Sequence, residues 1–131
     1  MQANLIAVII DQLGTVRAIP LQLPSPSDPR AERVAEALQR DPSERRSLQA
    51  VCKKAGASKR TIERIFQSET RLSLGKWRQQ LRLMRSLQLL AAGEKIAYAA
   101  LEAGYSTPSA FIAMFRKILG TTPGRYFDTS T

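Results

Sequence analysis

The stretch "GASKRTIERIF", Gly56 to Phe66, decides the fold. Its glycine can supply a left-handed turn residue, and Ser58 is suited to cap a helix. Ile62, Ile65 and Phe66 then recur at the three- and four-residue spacing of one helix face. Lys59, Arg60, Glu63 and Arg64, with Gln67 a turn further on, fall on the remaining face. Immediately upstream, Ser47 can cap "LQAVCKKAG", where Leu48, Val51 and Cys52 share an apolar side. Two short helices joined by a glycine turn predict a helix-turn-helix.

The same plan recurs downstream. In "IAYAALEAG", Ile96, Ala99, Ala100, Ala103 and Gly104 stand 48 positions after Leu48, Val51, Cys52, Ala55 and Gly56. Past the turn the offset becomes 49, so Thr107, Phe111, Met114 and Phe115 answer Ser58, Ile62, Ile65 and Phe66. Between the two lies a longer helical pattern opened by Ser73. Its expected buried positions are Leu74, Trp77, Leu81, Met84, Leu87 or Gln88, and Ala91, with Arg78, Arg82 and Arg85 on the opposite side. A helix of about 20 residues spans roughly 30 Å, against roughly 34 Å between successive major-groove faces of B-DNA.

Upstream, residues 3–13 make an apolar helix candidate, and no segment alternates convincingly like a strand. Ala18–Pro29 holds four prolines and reads as an extended linker. Asp28-Pro29 then opens a helix to about Gln39, which Asp41-Pro42 stops. Thr122-Pro123 starts a short closing helix ending near Tyr126 and Phe127.

Composition narrows the chemistry. The 131-residue chain carries a formal charge of +9, placed unevenly. Residues 1–40 hold four basic and four acidic side chains, whereas 41–131 hold 16 and seven. Such an excess attracts phosphates of nucleic acid or an anionic membrane. There is no histidine and one cysteine, which removes a Cys/His zinc site, a Ser-His-Asp triad and a disulfide framework. No catalytic residue, metal site or cofactor is therefore expected. Cys52 sits in an apolar stripe and reads as buried filler, and Phe66, Trp77 and Phe115 read as core, not stacking platforms for single strands. Without an apolar run of about 18 residues or a secretory leader, no membrane partner is expected and the expected compartment is the cytoplasm.

A helix-turn-helix places its second helix in the major groove and its first across the backbone. Exposed Arg60, Glu63, Arg64 and Gln67 are then base readers, since arginine pairs with guanine, glutamine with adenine, and glutamate accepts from cytosine. Lys53, Lys54, Lys59, Arg71, Lys76, Arg78, Arg116, Lys117 and Arg125 lie near helix ends or turns, where phosphate contacts arise.

These motifs resemble the AraC/XylS transcription regulators of bacteria over about Val34 to Phe127. "SLQAVCKKAGASKRTIERIF" is similar to that family's first helix-turn-helix, "WRQQLRLMRSLQLL" to its linker helix, and "IAYAALEAGYSTPSAFIAMFRKILGTTPGRYF" to its C-terminal signature. The resemblance implies an all-α, seven-helix module spanning residues 28–131. Two helix-turn-helix subdomains, about 47–69 and 95–119, are joined by a linker helix over about 73–92. It implies a double-stranded DNA operator as partner, RNA polymerase as a further one, and an effector or dimerisation domain preceding the module. Residues 1–27 are then the remnant of an interdomain helix and proline-rich linker. Carried over by position, base readers fall on Arg60, Thr61, Glu63 and Arg64, and on Pro108, Ser109, Ala110 and Ala113. The second set departs from the family pattern, because Ala113, beside Ile112, stands where a long polar side chain is common. Specificity is thus expected chiefly from the first unit, with Arg116 and Lys117 gripping phosphate in the second. The competing reading is a helical protein-interaction adaptor built on the same tandem fold.

Overall fold

The computed structural model describes residues 6–10, 16–20, 23–43 and 46–127. It opens with two antiparallel strands, β1 (Ile6–Ile10) and β2 (Val16–Pro20), paired from Ile6 opposite Pro20 to Ile10 opposite Val16. Within the helix expected over 3–13, residues 6–10 are therefore a strand, the rest of that stretch lying outside the described residues, and β2 takes the first residues of the expected linker. The physical reason lies in β1 itself: Ile6, Val8, Ile9 and Ile10 are β-branched, stiff at χ1, and suited to a pleated backbone. A short apolar run has no period that separates strand from helix.

Seven helices follow, which makes the module from Pro29 onward all-α among the described residues. They are α1 (Pro29–Arg40), α2 (Leu48–Lys54), α3 (Lys59–Thr70), α4 (Leu74–Ala91), α5 (Ile96–Glu102), α6 (Pro108–Leu119) and α7 (Pro123–Phe127). The chain divides into two compact units, one of Leu23–Arg82 and one of Met1–Gln22 with Leu83–Thr131.

In the first unit, α1 starts at the expected Asp28 cap, whose carboxylate accepts the Arg30 amide at 2.9 Å. Val34 and Leu38 of α1 are buried with Val51 and Cys52 of α2, Ile62 and Phe66 of α3, and Leu74, Trp77 and Leu81 of α4. Phe66 and Trp77 meet edge-on, with centroids 5.4 Å apart and planes at 77°. Such a pair contributes about 0.5–1.5 kcal/mol beyond its burial.

The second core gathers Leu83 and Leu87 of α4, Ala100 of α5, and Phe111, Met114, Phe115 and Leu119 of α6. Here Phe115 meets Tyr126 of α7 edge-on, at 5.6 Å and 80°. Phe115 and Tyr126 lie 49 positions after Phe66 and Trp77, as buried Leu83 and Leu87 lie after Val34 and Leu38. The repeat thus extends past the two helix-turn-helix motifs into the flanking helices. The later part of α4 takes the part in its unit that α1 takes in the other.

This double duty explains where α4 departs from the expected single stripe. Leu74, Trp77 and Leu81 are buried in its first part, but Leu83, Ser86 and Leu87 in its later part. At about 100° per residue the two sets do not fall on one helical stripe. Met84, expected on the stripe, is half-buried and Ala91 is exposed. The arginine side is not fully solvated either. Arg78, Arg82 and Arg85 are half-buried, and Arg82 donates from Nε to the Pro42 carbonyl at 3.1 Å.

Both α3 and α6 end in a left-handed cap, at Arg71 (φ 65°) after α3 and Gly120 (φ 76°) after α6. A side chain with Cβ costs about 1–2 kcal/mol in that conformation. Gly120→Ala should destabilise the protein by about 1 kcal/mol, and Arg71→Gly should be neutral or stabilising, both read from urea unfolding midpoints.

Candidate nucleic-acid interface

α3 is fixed at both ends and along one side, which leaves a single face outward. At its start the Ser58 hydroxyl oxygen accepts the Thr61 amide at 3.2 Å and joins the Thr61 hydroxyl at 3.0 Å. The preceding turn needs Gly56, whose φ is 103°. Arg33 of α1 reaches across to donate from Nη1 to the Ala55 carbonyl at 2.8 Å. A Cβ on Gly56 would stand 3.7 Å from that nitrogen, so the strain there is chiefly conformational. Along the inner side, Ile62 and Phe66 are wholly buried.

The far end of α3 is held by the segment before α1. The Glu69 carboxylate accepts from the Ser27 amide at 2.9 Å, the Ser27 hydroxyl at 3.0 Å and the Asp28 amide at 3.1 Å. Four residues earlier, the Pro24 carbonyl accepts the Trp77 indole N–H at 2.9 Å, and Pro26 is buried. Residues 24–28 therefore form a strap across one unit, not a free tether. The Asp28 and Ser27 donors hold the Glu69 carboxyl below its ordinary range, against an opposing desolvation.

Outward on α3, beside Lys59, stand Arg60, Glu63, Arg64 and Gln67, all exposed. Lys59 and Glu63 form an exposed ion pair at 3.6 Å, a spacing worth about 0.2–0.5 kcal/mol. Gln67 donates from Nε2 to the Arg71 carbonyl at 3.4 Å. Thr61 differs from its neighbours: it is half-buried and its hydroxyl completes the cap. Beside the turn lies an open cleft of about 660 Å³ lined by Gln49, Lys53, Ser58, Lys59 and Arg60, with no acidic side chain.

α6 repeats this arrangement with different side chains. Thr107 caps it by accepting the Ala110 amide at 3.1 Å, and Phe111, Met114 and Phe115 are buried. Its exposed face carries Pro108, Ser109, Ala110 and Ala113, followed by Arg116 and Lys117, while Ile112 is half-buried. That face is smooth where the α3 face is long and charged.

The expected phosphate-binding cations separate into two groups. Lys59, Lys76, Arg116, Lys117 and Arg125 are exposed. Lys76 and Arg125 occupy equivalent places, 49 positions apart, their amides bonded to the hydroxyls of Ser73 and Thr122 at 3.2 and 3.3 Å. Arg78 is half-buried with its Nε enclosed, a departure from the open face expected for it. Cys52 is buried, and that burial, more than the nearby Glu63 charge, pushes its thiol above the ordinary value. Among the described residues no group of side chains is suited to hold a metal ion, and no helix is long and apolar enough to cross a membrane.

A family model described as a helix-turn-helix domain matches residues 51–129. The chain belongs to the AraC/XylS family of helix-turn-helix regulators. It is 38% identical over 131 residues to the HTH-type transcriptional regulator NimR of Escherichia coli, covering all of this chain and 48% of that protein. It is 31% identical over 81 residues to the regulatory protein SoxS of Salmonella typhimurium, covering 61% of this chain and 76% of that one. Among solved structures, the DNA-binding domain of the transcriptional factor AdpA, in complex with a target DNA, superposes with a TM-score of 0.68 at 29% identity. That likeness covers 76% of this chain and 90% of the AdpA domain. The chain spans about half the length of NimR.

Arg33 and Glu69 had no sequence signal, since their partners lie 22 and about 42 positions away and are reached only through the fold. Because its folded carboxyl titrates low, the Glu69 strap contributes stability above the ordinary carboxylate range. That contribution is lost as pH falls through the lowered folded value. The Ser27 amide should accordingly show hydrogen-exchange protection that falls in acid, and Glu69→Ala, which removes the acceptor, should leave it weakly protected at every pH.

Proposed function

We propose that this chain is the operator-reading module of a bacterial transcription regulator, binding specific double-stranded DNA with α3 and α6 in adjacent major grooves. The observation that carries the reading is the face of Arg60, Glu63, Arg64 and Gln67, left open opposite buried Ile62 and Phe66. No packing reason puts two arginines there, whereas duplex DNA offers guanine edges to such side chains. The length of α4 supports the groove assignment, since its 18 residues span about 27 Å. The AdpA domain was solved with its target DNA, which supports the same ligand for this chain.

In this reading Arg60 and Arg64 donate to guanine, Glu63 accepts from cytosine and Gln67 pairs with adenine. Thr61 serves the cap first, leaving its methyl for apolar contact. In α6, Ser109, Ala110 and Ala113 offer small contacts to thymine methyls, so most specificity comes from α3. Lys59, Lys76, Arg116, Lys117 and Arg125 hold phosphates and fix register, while Arg78, partly enclosed, contributes least. The chemistry is recognition without catalysis, in the cytoplasm at the nucleoid. NimR is about twice as long as this chain, which supports an effector or dimerisation domain in the whole regulator, with RNA polymerase as a further partner. A protein adaptor would account for the repeated fold but not for exposed cations repeating at Lys76 and Arg125.

Replacing Arg60 or Arg64 with alanine should cost about 1–3 kcal/mol of duplex affinity and relax base choice at one position. Lys117→Ala should weaken all sequences alike and reduce the slope of log affinity against log salt by about one. Titrations of randomised duplexes at several salt concentrations separate the two effects. Equal loss of specificity from Ser109→Ala and Arg60→Ala would overturn the assignment of specificity to α3.

A further inference from the structure

The 48-position offset relates α5 to α2, and their outer surfaces are opposite in kind. Arg46, Gln49, Ala50, Lys53 and Lys54 around α2 correspond to Glu94, Ala97, Tyr98, Leu101 and Glu102 around α5. One helix carries a basic surface. The other carries an apolar centre with acidic ends. Tyr98 is 44% and Leu101 53% exposed, two of the three large apolar side chains left open among the described residues. The carboxylates belong to the same patch. The Glu102 carboxylate, with Glu94 beside it, pushes the Tyr98 phenol above its ordinary value, and Arg85 of α4 opposes them. On a chain of net charge +9, an acidic rim around exposed leucine and tyrosine serves DNA poorly.

The first unit holds a complementary hollow. A cleft of about 210 Å³ between α1 and α2 has Ala37, Val51 and Ala55 on its apolar lining. Arg40, Arg46 and Lys54 stand around it, with Glu36 its one acidic side chain. It is large enough for a leucine side chain, and its charge is opposite to that of the α5 patch.

We propose that α5 of one copy seats Leu101 in the α1/α2 cleft of a neighbouring copy, with Tyr98 against the rim and Glu94 and Glu102 against its cations. The contact joins two different surfaces, so it propagates head to tail along a duplex and does not close a symmetric pair. Two apolar side chains bury far less than the roughly 1,200–2,000 Å² of a stable interface. The copies therefore meet only where DNA already holds them side by side, and the inference rests on the duplex-binding reading above.

The test compares purified chain on a duplex of about 20 base pairs, room for two reading helices one turn apart, with one of about 60 base pairs. Wild-type protein should bind each site on the long duplex at least about fivefold more tightly than the short duplex. Leu101→Lys, Glu102→Lys and Arg40→Glu should each bring that ratio close to one. A chain carrying both Glu102→Lys and Arg40→Glu should recover it, because the reversed charges again face each other. A wild-type ratio near one, or a double variant no better than the single ones, overturns the contact. Failure to bind even the short duplex would instead overturn the duplex-binding reading.

Discussion

The edge-on packing of one aromatic ring against the next element fixes each reading helix. Phe66 is buried against Trp77, and Phe115 against Tyr126, at nearly the same separation and angle. Each phenylalanine lies on the inner face of its helix, so the rotation of that helix about its own axis follows from where its ring must go. The outward residues are then not free to choose their direction. In α3 the consequence is that Arg60, Glu63, Arg64 and Gln67 point away from the core. Caps at Ser58 and Thr107 set where each helix begins, and left-handed residues at Arg71 and Gly120 set where it stops.

Duplication gives two copies of this device and lets them diverge on the surface while the interior is kept. The aromatic pairs, the caps and the positions of Lys76 and Arg125 repeat. The reading faces do not, since α3 offers long charged side chains and α6 offers Pro108, Ser109, Ala110 and Ala113. The outer sides of α2 and α5 diverge in charge as well. A fold that needs only a few buried residues per helix leaves the rest of each helix available for unlike partners.

Much of this is legible in the residues because helical burial leaves a period and caps leave a signature. Asp28, Ser47, Ser58 and Thr107 accept the amides their positions suggest, and most of the expected helix-turn-helix core positions are buried, Leu48, Ile65 and Ile96 being half-buried. The parts that escape are those where no single period operates. β1 is too short and too uniformly apolar to show a period. α4 serves two cores on two registers, so a single stripe through Met84 and Ala91 does not describe it, and Arg78 does not stand on an open side. Arg33 and Glu69 act across chain separations on which local patterning has no bearing. The exposure of Arg60, Glu63 and Arg64 is legible for the opposite reason: charged side chains at helical spacing beside a buried stripe have to face outward.

Selection of bound sequences from a random duplex pool tests the central claim most directly. The account predicts one strongly determined tract containing guanine and cytosine, contacted by α3. A weakly determined, thymine-tolerant tract should lie about one helical turn away. Enrichment of no sequence over the starting pool, or of two equally determined tracts, would contradict it.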